Sequence, residues 1–188
     1  MRTVGALLLA VALSACIKDR VLPEQGNGGT GGGGGDAVYP GLLKVNEFVA
    51  YGSTNQNEFG VLAKWFEIYN TSAQDLVLES GKWFVTDAGE AQPTKFQLPQ
   101  VTIEGHGFLV VWCDNNTTPG ATQVYANFSL SSSGEHIMIY YKTPEAEFSV
   151  DDYSYGPQTS SGASMGRSPD GSDNWMQFTT PTPGAPNP

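Results

Sequence analysis

The sequence predicts an all-β domain, a sandwich or barrel, behind a disordered, glycine-rich tether. Three observations predict it. From Leu42 onward no stretch of useful length carries the 3.6-residue apolar period of an amphipathic helix. Short runs rich in β-branched and aromatic residues recur instead. Turn residues punctuate them: Ser72-Ala73-Gln74-Asp75, Pro119-Gly120, Ser132-Ser133-Gly134 and Pro169-Asp170-Gly171.

Taken in order, the strands fall at Leu43–Ala50, Lys64–Asn70, Leu76–Leu78, Trp83–Thr86, Lys95–Gln97, Phe108–Cys113, Tyr125–Asn127, His136–Tyr141 and Phe148–Tyr153, with shorter ones at Ser164–Gly166 and Met176–Phe178. Period 2 assigns their faces. Phe66 and Ile68 share one face of the second run; Trp65, Glu67 and Tyr69 share the other. Ile137, Ile139 and Tyr141 line one face of the His136 run. Phe108–Cys113 is apolar throughout, which predicts a central strand buried on both sides. Many short strands at near-regular spacing mark a sandwich or barrel, and no repeat of about 40 residues points to a propeller.

The chain has 188 residues, 39% of them hydrophobic and 15% charged, so one ordinary domain with a real core fits. Its net charge is −10. That balance excludes a sequence-independent nucleic-acid binder, which needs a basic face, and disfavours electrostatic docking on anionic lipid. Two cysteines do not build a disulfide scaffold.

The first residues read as an address. Arg2 precedes the apolar run Val4–Ala12, too short to span a bilayer. Leu13-Ser14-Ala15-Cys16 follows and resembles the lipobox of bacterial lipoproteins, which implies removal of residues 1–15 and diacylglycerol on Cys16. Each buried acyl CH₂ contributes about 0.8 kcal/mol, so two or three chains anchor stably where one does not. Residues 16–40 then form the lipidated cysteine and tether. Gly26–Gly35 holds eight glycines in ten positions and lacks the Lys-Ser/Thr ending of a phosphate loop. A flexible coil of that length reaches about 27 Å. Residues 41–188 are the folded domain.

Within that domain the residues resemble a known family. Leu43-Lys-Val-Asn-Glu-Phe48 and Trp65-Phe-Glu-Ile-Tyr-Asn70 resemble the first two strands of the lamin tail domain. Leu76–Trp83, Gly107–Asp114 and Phe128–Ile137 resemble its next segments. Tyr155-Gly156, Met165–Gly171 and Thr180–Asn187 resemble its closing signature. The resemblance runs from Leu42 to Asn187, on a chain that also looks like a Bacteroidota lipoprotein. It implies an immunoglobulin-like β-sandwich and an accessory binding module. Cys113 stands where a small residue is common, and Asn55–Val61 reads as a slightly long loop.

Candidate chemistry is sparse. Glu47 and Glu67 have the residue type of an acid–base couple; the favoured alternative is strand carboxylates bonded to local backbone or facing solvent. Trp83 and Trp112 read as core. Trp65, Tyr69 and Trp175 are candidate exposed binding aromatics. His106 and His136 lack zinc spacing, and neither sits in a nucleophile motif. Cys113 reads as a buried thiol. No cofactor is expected; the alternative is calcium on Asp114-Asn115-Asn116, Asp151-Asp152 or Asp170/Asp173-Asn174, none of which has EF-hand spacing. The expected function is a non-enzymatic, lipid-anchored interaction module of the cell envelope, at the bacterial outer membrane. Its expected partners are the membrane through Cys16 and an unknown protein or polysaccharide, not nucleic acid. A carbohydrate- or polymer-binding surface lipoprotein is the alternative, and a hydrolase the least favoured reading.

Overall fold

A computed structural model describes residues 37–115 and 122–188. The expected signal peptide, Cys16, the glycine run and the Pro119-Gly120 turn lie outside the described residues. Twelve strands follow one another: β1 (Leu43–Val49), β2 (Trp65–Asn70), β3 (Leu76–Leu78), β4 (Trp83–Thr86), β5 (Phe96–Gln97), β6 (Val101–Ile103), β7 (Phe108–Trp112), β8 (Val124–Tyr125), β9 (Glu135–Lys142), β10 (Glu147–Tyr155), β11 (Ser164–Arg167) and β12 (Trp175–Phe178). One turn of 3₁₀ helix at Gly89–Ala91 is the single helical piece among the described residues. No helix there is long and apolar enough to cross a membrane.

A six-stranded sheet runs in the order β12-β11-β1-β2-β7-β8, and a four-stranded sheet in the order β10-β9-β4-β5. The pair β3-β6 forms a third, small sheet. One core cluster takes Val45, Phe48, Phe66, Ile68 and Val111 from the first sheet and Trp83, Val85, Ile137, Ile139 and Val150 from the second. Two sheets sharing their inner faces make a sandwich. Fully burying one such side chain contributes roughly 1.5–3 kcal/mol, so this shared layer dominates the domain's stability.

A second cluster sits on the other face of the six-stranded sheet, from Val49, Ala63, Trp65, Trp112 and Tyr125. It follows the alternation expected for β2: Phe66 and Ile68 point inward, Trp65 outward.

Phe108–Cys113 departs from expectation. Phe108, Leu109 and Val110 are only half-buried. The neighbour β8 pairs with Val111 and Trp112 alone, in parallel, so the first half of β7 is a sheet edge. The run is apolar because Leu109 packs against the shared core and Val110 against the second cluster on the opposite face, not because two strands flank its whole length.

Bulges mark both sheets. The β1–β2 register shifts between Val45 and Glu47, and the β9–β10 register between Ser149 and Asp151. A bulge leaves a strand's backbone groups out of the ladder. Here the Val45 N–H donates to the Asp151 carboxylate at 2.9 Å instead, tying the two sheets together.

Candidate functional site

The three candidate aromatics fare differently. Trp65 is 0% exposed, so it is a core residue and not a platform. It pairs across strands with Trp112, and its indole N–H donates to Asn55 Oδ1 at 3.1 Å. Alternation placed it on the outer face correctly. What it missed is the Asn55–Ala63 hairpin folding over that face. Tyr69 is half-buried against Phe108, and its hydroxyl lies 3.2 Å from His106 Nδ1. Gly171 closes over its ring: a Cβ there would stand 2.9 Å from Tyr69 Cε1.

Trp175 begins β12 and points between the sheets. Tyr153 of β10 stacks on it, with ring centroids 3.6 Å apart and planes at 16°. The Arg167 guanidinium covers it at 4.7 Å from the centroid. Arg167 is the hub of this region. Its Nε donates to Val45 O at 2.7 Å, its Nη1 to Ser172 O, and its Nη2 pairs with Asp151 at 3.1 Å. Lys44 reaches the other Asp151 oxygen at 3.2 Å. A buried carboxylate needs such partners to stay ionised at low cost.

Beside this stack the sandwich opens. A cleft of about 280 Å³ separates β10 from β11 and β12, with Tyr153 and Tyr155 on one wall, Met165 and Gln177 on the other, and the 156–160 segment at its mouth. The lining is uncharged. The β12 edge beside it reads Trp-Met-Gln-Phe, without charge or proline. The β10, β5 and β8 ends are blunted, as solvent-facing edges usually are. β10 carries Glu147, Asp151, Asp152 and a bulge; β5 and β8 are two residues long.

Glu47 and Glu67 face each other across the β1–β2 ladder, both fully buried. The closing segment, residues 179–188 after β12, lies over them. Glu47 accepts the Thr182 backbone N–H at 3.1 Å, the Thr182 hydroxyl and the Ser164 hydroxyl. Glu67 accepts the Gly184 N–H at 2.6 Å and an Asn46 amide hydrogen at 3.2 Å. Asn46 also donates to Asp170, which accepts the Asn187 N–H at 3.1 Å. Burial raises the Glu47 carboxyl above its ordinary range and pushes Glu67 up to about 8. The expectation of local backbone bonds or solvent exposure is corrected here: both carboxylates are buried, and their backbone partners lie far away in sequence. With their oxygens spent on the closing segment, the pair has no open cleft between its members and holds that segment down.

The structure also joins His136, Asp152 and Ser154 on the outer face of β9–β10. Asp152 Oδ1 stands 3.2 Å from His136 Nδ1. Ser154 Oγ stands 2.9 Å from Nδ1 and 3.0 Å from Nε2. An oxygen nearly equidistant from both ring nitrogens lies over the ring, off either nitrogen's lone-pair axis, so this is not the alignment that activates a nucleophile. Sequence reading missed the trio because its members meet only through the bulged β9–β10 register.

Among the described residues no group of three or more His, Cys, Asp or Glu side chains is placed to hold a metal ion. Asp151 is taken by Lys44 and Arg167, and Asp170 by Asn46 and Asn187. Cys113 is a buried free thiol, as expected.

A family model described as the lamin tail domain matches residues 39–157. No match is found among curated proteins. The matched stretch runs from just before β1 through β10 and exceeds half of the chain; β11, β12 and the closing segment lie beyond it. By this match and its all-β architecture, the chain belongs to the lamin tail domain family, with that family's immunoglobulin-like β-sandwich fold.

Proposed function

We propose that the chain is a non-enzymatic, lipid-anchored interaction module of the cell envelope, which takes a protein partner by strand addition at β12. The observation that supports it most is the uncharged β12 edge beside an uncharged cleft. A sheet edge supplies main-chain hydrogen bonds to an extended segment, and a neighbouring cleft takes its alternate side chains. The anchor reading comes from Leu13-Ser14-Ala15-Cys16 and implies the bacterial outer membrane. A second reading, carbohydrate or another polymer, draws support from Gln158, Thr159, Ser160 and Gln177 around the tyrosine walls of the cleft.

Two experiments test this. Palmitate labelling of cells is expected to mark the wild-type chain and not Cys16→Ala; equal labelling of the two sinks the anchor. Arrays of extended peptides and of glycans are then probed with the domain and with Met176→Lys, since an edge lysine blocks strand pairing. Peptide binding lost in Met176→Lys supports strand addition. Binding to glycans alone transfers the site to the second reading.

A further inference from the structure

The connection from β1 to β2 carries the domain's most apolar exposed surface. Phe59, Val61 and Leu62 are 50%, 51% and 58% exposed, within four consecutive residues. Single exposed apolar residues are ordinary, but three large ones together on one tip are not.

This tip is rigidly built. Asn57 is buried at its base, and its Oδ1 accepts the N–H groups of Phe59 at 3.0 Å and Val61 at 3.1 Å. The Asn57 N–H donates to Val61 O at 2.9 Å, and Gln56 bridges to Leu62. Glu58 clamps the hairpin to the β8 approach: it accepts the N–H groups of Thr122 at 3.0 Å and Gln123 at 2.9 Å. Phe59 rests on Tyr125, with centroids 5.7 Å apart. A preorganised apolar tip loses little conformational entropy when another surface covers it, which favours binding.

The charge around the tip selects its occupant. Glu58 lies within it, and Asp114 meets its base through Asn57 Nδ2 at 3.5 Å. The nearby Lys64 ammonium is held by Leu130 O at 2.6 Å. The chain as a whole is at −10. An anionic bilayer repels such a surface, and a second copy of the same tip repels it too.

We infer that the Phe59–Leu62 tip docks into a folded protein partner that offers an apolar pocket rimmed by lysine or arginine. The apolar side chains fill the pocket, and the acidic border sets orientation and association rate.

The test is site-specific photo-crosslinking in cells. The full-length chain carries a benzophenone amino acid at position 61, and adducts are identified by mass spectrometry. The expected result is one discrete polypeptide adduct, cross-linked at an apolar segment flanked by Lys or Arg. With purified components its yield falls at high salt. Leu62→Ser lowers the yield about tenfold or more, as for a hot-spot residue, with an unchanged melting midpoint. Val77→Ser, an exposed apolar residue on β3, leaves the yield unchanged. Adducts with lipid or with a second copy, a salt-insensitive adduct, or no adduct overturn the inference. Met176→Lys separates the two surfaces: it abolishes strand addition and leaves the tip adduct intact.

Discussion

Glu47 and Glu67 stand directly opposite each other on adjacent strands, and each accepts a backbone N–H from the same closing segment, from Thr182 and Gly184. Like charges directly opposed on a sheet face are ordinarily destabilising. Here the arrangement persists because neighbouring hydroxyl, amide and backbone donors surround the oxygens, and because burial favours the neutral acids.

Protonation therefore links to stability. Glu67 goes from an ordinary carboxyl value of 4.5 to about 8 in the folded chain. Between those values the folded state holds a proton that the unfolded state has released. The stabilisation is fully present below pH 4.5 and is lost as pH rises through 8. Glu47 is raised by burial as well and adds in the same direction. Urea midpoints are expected to fall as pH rises across that window. Glu67→Gln keeps the shape, removes the charge, and should flatten most of the slope. A wild-type midpoint that climbs over the window would refute this reading.

The Arg167 hub yields a second prediction. Arg167→Ala leaves the buried Asp151 with Lys44 and the Val45 N–H, removes the bond to Val45 O, and uncovers the Trp175 ring. Breaking a buried pair from one side costs about 3–5 kcal/mol. Arg167→Lys should recover only part of that loss. A single ammonium does not serve Val45, Ser172 and Asp151 at once in the planar geometry of the guanidinium. Chemical denaturation of the two variants reads both numbers. A lysine variant as stable as wild type would show that charge alone matters here.

Much of this was legible from local pattern. Leu76–Leu78 and Trp83–Thr86 match their expected limits, because each run sits between clear turn residues. Val101–Ile103 was overlooked; three residues between Pro99 and Gly105 carry little period, and the strand exists through its partner β3. The site was less legible. Nothing local tells that Asn46 is a bulge residue whose amide reaches both Glu67 and Asp170, the latter 124 positions away. Trp65 likewise has the alternation of an outward-facing residue, and nothing local tells that the Asn55–Ala63 hairpin covers it. Nor does anything local tell that the Trp175 ring is already occupied by Tyr153 and Arg167.

Cys113 gives a third prediction. It is fully buried, and burial together with Asp87, Glu135 and Asp114 raises its thiol well above the ordinary value. Only the thiolate reacts quickly. Iodoacetamide should leave the Cys113 peptide unmodified in the native protein and label it at the rate of unfolding in denaturant. Prompt native labelling, read by mass spectrometry, would show that the core opens locally around β7.

The closing segment gives the last. It crosses β11 at Gly166, where an added Cβ would stand 2.8 Å from both Asn187 Nδ2 and a Phe178 ring carbon, and 3.1 Å from Glu47 Cγ. Gly166→Ala therefore has to push either the segment or the sheet aside. The segment gives way more easily, since it is held by side-chain bonds to Glu47, Glu67 and Asp170 and not by a ladder. The expected cost is about 1–3 kcal/mol, typical of overpacking. Amide exchange at Thr182 and Gly184 should accelerate while the β9 amides stay protected, because the core between the sheets lies on the other face of β1. Faster exchange across β9 as well would mean that the buried carboxylates and their cover hold the whole sandwich together and not one segment of it.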